Sequence, residues 1–272
     1  MNTDRSRIHI SLGSDQYGAV LIVVLLFLML IMIVGVVAVR NSSTDLKLAT
    51  SDQINTLLLQ SSDSVNNKIE MSVNGSPASD QYKQIMGITG IFGYYILEDN
   101  NSDIIDFCYR PRSSFFNIDD AVIRRNAGRL VTNATGYCDP TNANDYTSNR
   151  NTTMTQVMVK NVSATSNRGS FEHMNLGTDS DEKTAEMYTF EVYSTSVLPA
   201  YGNAKDSKIE ECFEKDASDK IDGVTKCMTE NNIPSKMLVE KVDLANIQNS
   251  ELCDYFGNSG KTASTNALCR DI

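Results

Sequence analysis

The stretch AVLIVVLLFLMLIMIVGVVAV, from Ala19 to Val39, decides the architecture of this chain. It contains no charged or strongly polar side chain. As a helix it would be about 31 Å long, which matches the thickness of one hydrocarbon core. The chain as a whole is mildly hydrophilic, with a mean hydropathy of -0.26. We therefore predict one membrane-length helix near the N-terminus, followed by a hydrophilic body.

Composition limits what the body does. The 272 residues are enough for one medium domain or two small ones. A net charge of -10 argues against a general nucleic-acid binder, which would carry a basic face. The two histidines, His9 and His173, are too far apart to favour a His-rich metal site or a Ser-His-Asp triad. No residue set supports catalysis, and we expect no enzyme activity, cofactor or metal.

The apolar segment has three interpretations. Arg5 and Arg7 precede it and favour a cytoplasmic N-terminus. The segment is too long for the core of a cleaved secretory signal, and Val37-Ala38-Val39-Arg40 is a poor small-x-small cleavage site. Two interpretations remain. One is a plain signal anchor, and the other is a signal that is cut in front of the apolar helix so that the helix is retained.

The helix is predicted to continue beyond the apolar segment. No Pro or Gly occurs from Val36 to Val73, and the strong break Asn74-Gly75-Ser76-Pro77 follows. We predict one helix over Ala19–Val73, about 80 Å long, with an amphipathic second half that packs one face on a globular head. Apolar residues recur near helical spacing among charged ones in that half: Leu46, Ala49, Ile54, Leu58, Val65 and Ile69.

The body is predicted to consist of strands and loops. The aromatic and β-branched segment Ile88–Leu97 and the following Ile104–Tyr109 suggest a hairpin across the turn at 98–101. Residues 116–130 fit a helix capped at Asn117 or a pair of strands. Apolar or alternating patterns mark Met154–Val159, Met187–Tyr193, Ile209–Glu214 and Met237–Val242, whereas polar composition marks loops at 133–151 and 161–183.

All six cysteines follow the apolar segment. An even number beyond a membrane span favours disulfides in an oxidising compartment, although six reduced thiols in a cytosolic body is the alternative. No CxxC pair supports a zinc ribbon or a redox site. Fifteen pairings are possible, and a loop of about 15 residues contributes roughly 3 kcal/mol. Proximity alone favours Cys108–Cys138, Cys212–Cys227 and Cys253–Cys269.

Charged patterns have structural explanations that we favour over functional ones. The basic concentration is interpreted as arginines paired with acids or solvated, so we expect no DNA binding. Acidic runs at 179–182 and at Asp216, Asp219 and Asp222 do not have the spacing of an EF-hand. The basic concentration comprises Arg110, Arg112, Arg124, Arg125 and Arg129.

Asn-x-Ser/Thr sequons would suit a surface glycoprotein, and they occur at Asn41, Asn74, Asn133, Asn151 and Asn161.

The sequences GAVLIVVLLFL, from Gly18 to Leu28, and GVVAVRNSST, from Gly35 to Thr44, resemble the N-terminus of PilX-type minor pilins of bacterial type IV pili. The continuation Leu46–Glu70 has the length and place of the amphipathic helix of that family. Met187–Tyr193 followed by Ala204–Glu214 resembles its late pair of strands. The resemblance implies an α+β fold, with a long N-terminal helix packed on an antiparallel sheet that carries disulfide-held loops.

The resemblance also implies how the chain is processed and assembled. Prepilin peptidase would cut between Gly18 and Ala19, and the retained helix would bury apolar side chains against neighbouring helices. The implied segments are a leader at 1–18, a transmembrane and assembly helix at 19–40, its amphipathic continuation at 41–74 and an extracytoplasmic head at 75–272. The assembly residues are Leu21, Val23, Val24, Leu25 and Leu28.

Val23 would occupy the fifth mature position, where most pilins carry Glu. That carboxylate compensates the N-terminal ammonium of the adjacent subunit inside an apolar bundle, where an unpaired charge is costly. PilX-type pilins and the similar K-type pseudopilins of type II secretion share its absence. The resemblance therefore implies a place at the filament tip.

The implied partners are other minor pilins, the major pilin, the inner-membrane assembly platform, prepilin peptidase and a tip adhesin. The implied location is the inner membrane with a periplasmic head, and then the pilus tip. The alternative function is that of an uncleaved single-pass binding or receptor module, and an enzyme ectodomain ranks below both.

Overall fold

The computed structural model describes residues 17–76, 78–87, 89–96, 102–125, 129–130, 136–163, 187–201 and 205–245. The chain divides into two compact units, Met1–Gln53 and Ile54–Ile272. Helices and strands follow in the order α1 (Tyr17–Val73), α2 (Asp80–Met86), α3 (Gly93–Ile96), β1 (Ile104–Cys108), β2 (Val122–Arg125), β3 (Arg129–Leu130), β4 (Met154–Asn161), β5 (Met187–Val197), α4 (Asp206–Phe213), α5 (Val224–Glu230) and β6 (Ser235–Ala245).

Helix α1 runs without interruption through the apolar segment and beyond it, which confirms the predicted continuous helix. It ends immediately before Asn74, whose backbone N–H still donates to the carbonyl of Glu70. In the first unit every side chain from Val20 to Ala49 is exposed. In the second unit Leu58, Val65 and Ile69 are buried. The second part of the helix is therefore amphipathic, as predicted.

The strands form one antiparallel sheet in the order β3-β2-β1-β4-β5-β6. Strands β5 and β6, of 11 residues each, pair along their whole length from Met187↔Ala245 to Val197↔Ser235. The predicted strands at 104–109, 154–159, 187–193 and 237–242 are confirmed. Alternation along these strands gives the sheet two buried faces.

The two faces of the sheet carry two apolar clusters. The helix-side cluster joins the second part of α1 to α2, α3 and one face of the sheet, and includes Val65, Ile69, Phe92, Phe190 and Val192. Two of its aromatic rings contact each other at a tilt of 33°, with the centroids of Phe92 and Phe190 4.7 Å apart. The disulfide-side cluster joins the other face to α4 and α5, and includes Met154, Met158, Cys212, Phe213 and Met228.

The predicted strand over Ile88–Leu97 is wrong. The described part of this segment forms a turn followed by the short helix α3. Phe92 and Tyr95 are both fully buried, so its apolar residues fill the core on more than one side rather than alternating. A Cβ on Gly93 would lie 1.9 Å from the carbonyl oxygen of Gly87, so the backbone itself packs closely at this point. A strand within a hydrogen-bonded ladder does not come this close to the carbonyl oxygen of a residue six positions earlier in the chain.

Two other expectations are resolved by the structure. Asn117 caps a short 3₁₀ helix, Ile118–Asp120, by accepting a bond from the N–H of Asp119, and strands β2 and β3 follow. Residues 116–130 therefore contain a strand pair, and the cap serves only one turn. The resemblance of Ala204–Glu214 to a late strand is wrong, because Asp206–Phe213 is helix α4 and the partner of β5 is β6.

Candidate functional site

The largest apolar surface in the described residues is the first part of α1. Its large side chains from Val20 to Val39 are all exposed, between 49% at Val23 and 74% at Met32. Soluble proteins rarely leave so large an apolar area in water. The helix is long and apolar enough to cross a membrane. Lipid or the apolar faces of other helices are the environments that suit such a surface.

Four of the five predicted assembly residues share one face of this helix. Leu21, Val24, Leu25 and Leu28 follow the i, i+3, i+4, i+7 spacing that aligns side chains along a helix, and all four are exposed. Val23 lies within the same apolar segment and supplies no carboxylate.

Gly18 and Ala19 lie in the first turn of α1. The backbone N–H groups of a first helical turn have no partner inside the helix. The peptide bond between these residues therefore lies in a turn whose N–H groups have no partner inside the helix.

Two disulfides hold the loops of the head. Cys108–Cys138 has a Cα–Cα distance of 4.9 Å and ties β1 to the segment before β4. Cys212–Cys227 has a distance of 5.4 Å and ties α4 to α5. These are the pairings that proximity favours. The described part of the chain contains no free cysteine. Cys253 and Cys269 lie outside the described residues.

Three of the five arginines in the basic concentration pair with acids. The Nε atom of Arg124 lies 2.6 Å from Oδ2 of Asp106, and both side chains are almost completely buried. Burial raises the pKa of Asp106 to about 6, although the guanidinium of Arg124 opposes that change. The other contacts are Arg125 to Asp103 at 2.7 Å, Arg110 to Asp145 at 2.6 Å and Arg112 to the carbonyl of Ser148 at 2.8 Å. The side chain of Arg129 lies outside the described residues.

The acidic loop before α5 uses its carboxylates locally. Asp216 accepts bonds from the N–H and hydroxyl of Ser218, and Asp219 accepts from the N–H of Ile221. Asp222 pairs with Lys215 at 2.7 Å. Among the described residues there is no group of three His, Cys, Asp or Glu side chains that would hold a metal ion. The acidic run at 179–182 and both histidines fall outside the described part.

One buried polar contact was not predicted from the sequence. We define the hydroxyl seam as Ser61, Ser62 and Asn66 of α1 with Thr155, Ser194 and Ser196 of the sheet, all at most 8% exposed. Its sequence signal is weak, since it consists of polar residues at helical spacing on α1 and of alternate hydroxyl residues on β5. Nothing local shows that these residues, more than 80 positions apart, face each other.

Comparison of the chain with protein-family models, with curated proteins and with solved structures finds no match.

Proposed function

We propose that this protein is a minor pilin of a type IV pilus and belongs to the tip complex that starts pilus assembly. The observation that carries the proposal is the continuity of α1. A single helix contains both the exposed apolar segment and the residues that fill the core of the head. A simple anchor needs only a span followed by a linker, and it has no need of a helix that continues into the domain it holds.

The proposed role of the helix follows from its two parts. In the membrane the apolar part is solvated by lipid, and during assembly the same side chains exchange lipid contacts for contacts with the apolar helices of other subunits. The face of Leu21, Val24, Leu25 and Leu28 would supply these contacts. No bond is made or broken in this exchange, so the function needs no catalytic residue.

Val23 supports a place at the tip rather than along the shaft. A subunit within the shaft would need a carboxylate near the N-terminal ammonium of its neighbour, because an isolated charge in an apolar bundle is strongly unfavourable. Val23 supplies none. The chain would therefore occupy the position at which no further subunit is added above it. Its proposed partners are other minor pilins, the major pilin, the assembly platform and a tip adhesin.

The disulfides support an extracytoplasmic head. Cys108–Cys138 and Cys212–Cys227 cross-link the described residues, and such bonds persist in oxidising compartments. The proposed location is the inner membrane with the head in the periplasm, and then the pilus tip.

The N-terminal sequence of the membrane-extracted protein tests the proposal. In cells with active prepilin peptidase we expect the mature chain to begin at Ala19, and in cells that lack the peptidase we expect it to keep Met1. Gly18→Ala keeps a small residue and should still be cleaved, whereas Gly18→Leu should not. Retention of Met1 in the presence of active peptidase would contradict the pilin proposal and favour the uncleaved single-pass binding module.

A second experiment tests the position in the filament. Deletion of the gene should lower the number of pili per cell and leave the subunit composition of the remaining shafts unchanged. Abundance of this chain along sheared shafts, measured by quantitative mass spectrometry, would contradict the tip assignment.

A further inference from the structure

The contact between α1 and the sheet changes character along the helix. Toward its C-terminal end, Val65 and Ile69 are buried in the helix-side cluster together with Phe92 and Phe190. One to two turns earlier the contact is made by Ser61 and Ser62 of the hydroxyl seam, whose third helix residue, Asn66, lies beside Val65. Leu58, on the same helix face as Ser61 and Ser62, is fully buried but belongs to neither apolar cluster of the described residues.

The hydroxyl seam consists of a connected chain of four hydroxyls and one separate hydrogen bond. The hydroxyl of Ser61 lies 2.9 Å from that of Thr155, which lies 2.7 Å from that of Ser196. Ser62 donates to Ser196 at 2.9 Å, and Ser194 donates to the amide oxygen of Asn66 at 3.2 Å. The chain extends at both ends, from Ser61 to the hydroxyl of Thr147 at 2.8 Å and from Ser62 to the carbonyl of Lys236 at 3.2 Å.

Separating α1 from the sheet costs a different free energy at the two ends of their contact. Where residues 54–62 separate, the hydroxyls of Ser61 and Ser62 exchange their partners for water, so the net loss per bond is small, and one fully buried apolar side chain, that of Leu58, becomes exposed. At the apolar end, separation exposes Val65 and Ile69 and loses the hydrophobic free energy of the cluster. The helix keeps its own backbone hydrogen bonds in either case, because they lie within α1. The side of the sheet that separation uncovers is also polar, since Thr155 and Ser196 lie there.

We propose that the part of the hydroxyl seam made by Ser61 and Ser62 is a release point, at which residues 54–62 of α1 separate from the sheet while Val65, Asn66 and Ile69 stay docked. The head then keeps its core, and residues 54–62 leave the sheet as an intact helix. This proposal concerns the head alone, so it holds for any role of the apolar segment and does not depend on the pilin proposal.

Rates of thiol modification measure the two openings separately. Leu58→Cys and Ile69→Cys place a thiol at the two ends of the same helix. They are a matched pair because isomeric side chains, 0% and 3% exposed, are replaced and no seam hydroxyl is altered. The full chain in detergent micelles is treated with a water-soluble maleimide without denaturant, and the unmodified chain supplies the background. We expect position 58 to react about tenfold faster than position 69. A ratio above three supports the proposal, and a lower ratio overturns it.

A second variant tests whether the hydroxyls themselves set the opening. Thr155→Val keeps the shape of the side chain and removes the hydroxyl at the middle of the seam. It should accelerate modification at position 58 at least threefold and leave position 69 unchanged. Equal acceleration at both positions, or none at position 58, overturns the proposal. If Leu58→Cys prevents folding, Ser62→Cys and Ser72→Cys replace the pair, because each changes one atom of a buried serine on α1, and a reaction at position 62 no faster than at position 72 overturns the proposal.

Discussion

Replacing Asp106 by Asn tests which force dominates the buried ion pair with Arg124. The two side chains are 2% and 10% exposed and 2.6 Å apart. Burial disfavours the charged carboxylate, whereas the guanidinium favours it, and the raised pKa of about 6 means that burial has the larger effect. The proximity of Asp216 raises this pKa further.

The magnitude follows from the linkage between proton binding and folding. The ordinary pKa of 3.8 applies to the unfolded chain and about 6 to the folded one, so the folded chain binds protons more tightly in this range. The stabilisation is present at pH below 3.8 and is lost as the pH rises through 6. Between pH 4 and pH 7 the free energy of unfolding should fall by about 2 to 3 kcal/mol through this one group.

Asn has the shape of a protonated Asp and does not titrate. Asp106→Asn should therefore leave stability nearly unchanged at pH 4 and increase it by about 2 to 3 kcal/mol at pH 7. The assay is urea unfolding of the full chain in detergent at both pH values, followed by circular dichroism. Asp80→Asn removes a carboxylate that is 93% exposed and serves as the control for loss of a surface charge. A loss of several kcal/mol at pH 7 for Asp106→Asn would refute the reasoning, because it would mean that attraction to Arg124 outweighs burial.

Three further substitutions test other features. Replacing both Cys108 and Cys138 by Ala opens a loop with a sequence separation of 30 and should lower the free energy of unfolding in urea by roughly 3 to 4 kcal/mol; an unchanged value would contradict this. Gly93→Ala should lower the melting temperature strongly because its Cβ would lie 1.9 Å from a backbone oxygen, whereas Gly35→Ala, with no neighbour within 4 Å, should not. Under the proposed function, Val23→Glu should raise the amount of this chain in sheared pilus shafts, and an unchanged amount would count against the charge-pairing argument.

Helix α1 was predictable because its signals are local. A run without polar side chains, a following segment with apolar residues at helical spacing and the break at Asn74-Gly75 fix its extent by themselves. Helix α2 was missed, although its start carries an equally local signal. Ser79 caps it by accepting a bond from the N–H of Tyr82 at 3.2 Å.

The strand prediction for Ile88–Leu97 is wrong for a different reason. Aromatic and β-branched residues are frequent in strands because they suit burial between neighbours, and the same residues fill a core from a turn or a short helix. Phe92 and Tyr95 do so here. Whether this segment forms a strand or a turn with a short helix depends on the contact of Gly93 with the backbone of Gly87. That contact is set by packing and not by composition.

The buried polar contacts of the head were also beyond prediction. The pairing of Arg124 with Asp106 depends on the register of β1 and β2, and the hydroxyl seam depends on the place where α1 lies on the sheet. The sequence indicates that arginines are paired with acids, but it does not say which acids.

The hydroxyl seam also has a consequence for biosynthesis. Ser62 and Lys236, which meet at the seam, are 174 positions apart. A ribosome needs roughly ten to thirty-five seconds to add that number of residues, so α1 leaves the ribosome long before its partner strand exists. During this interval the hydroxyl groups at positions 61 and 62 are hydrated, and this part of the inward face presents little apolar surface to chaperones or to other nascent chains. A polar contact at this place therefore shortens the apolar surface that the waiting helix exposes before the strands of the sheet are made.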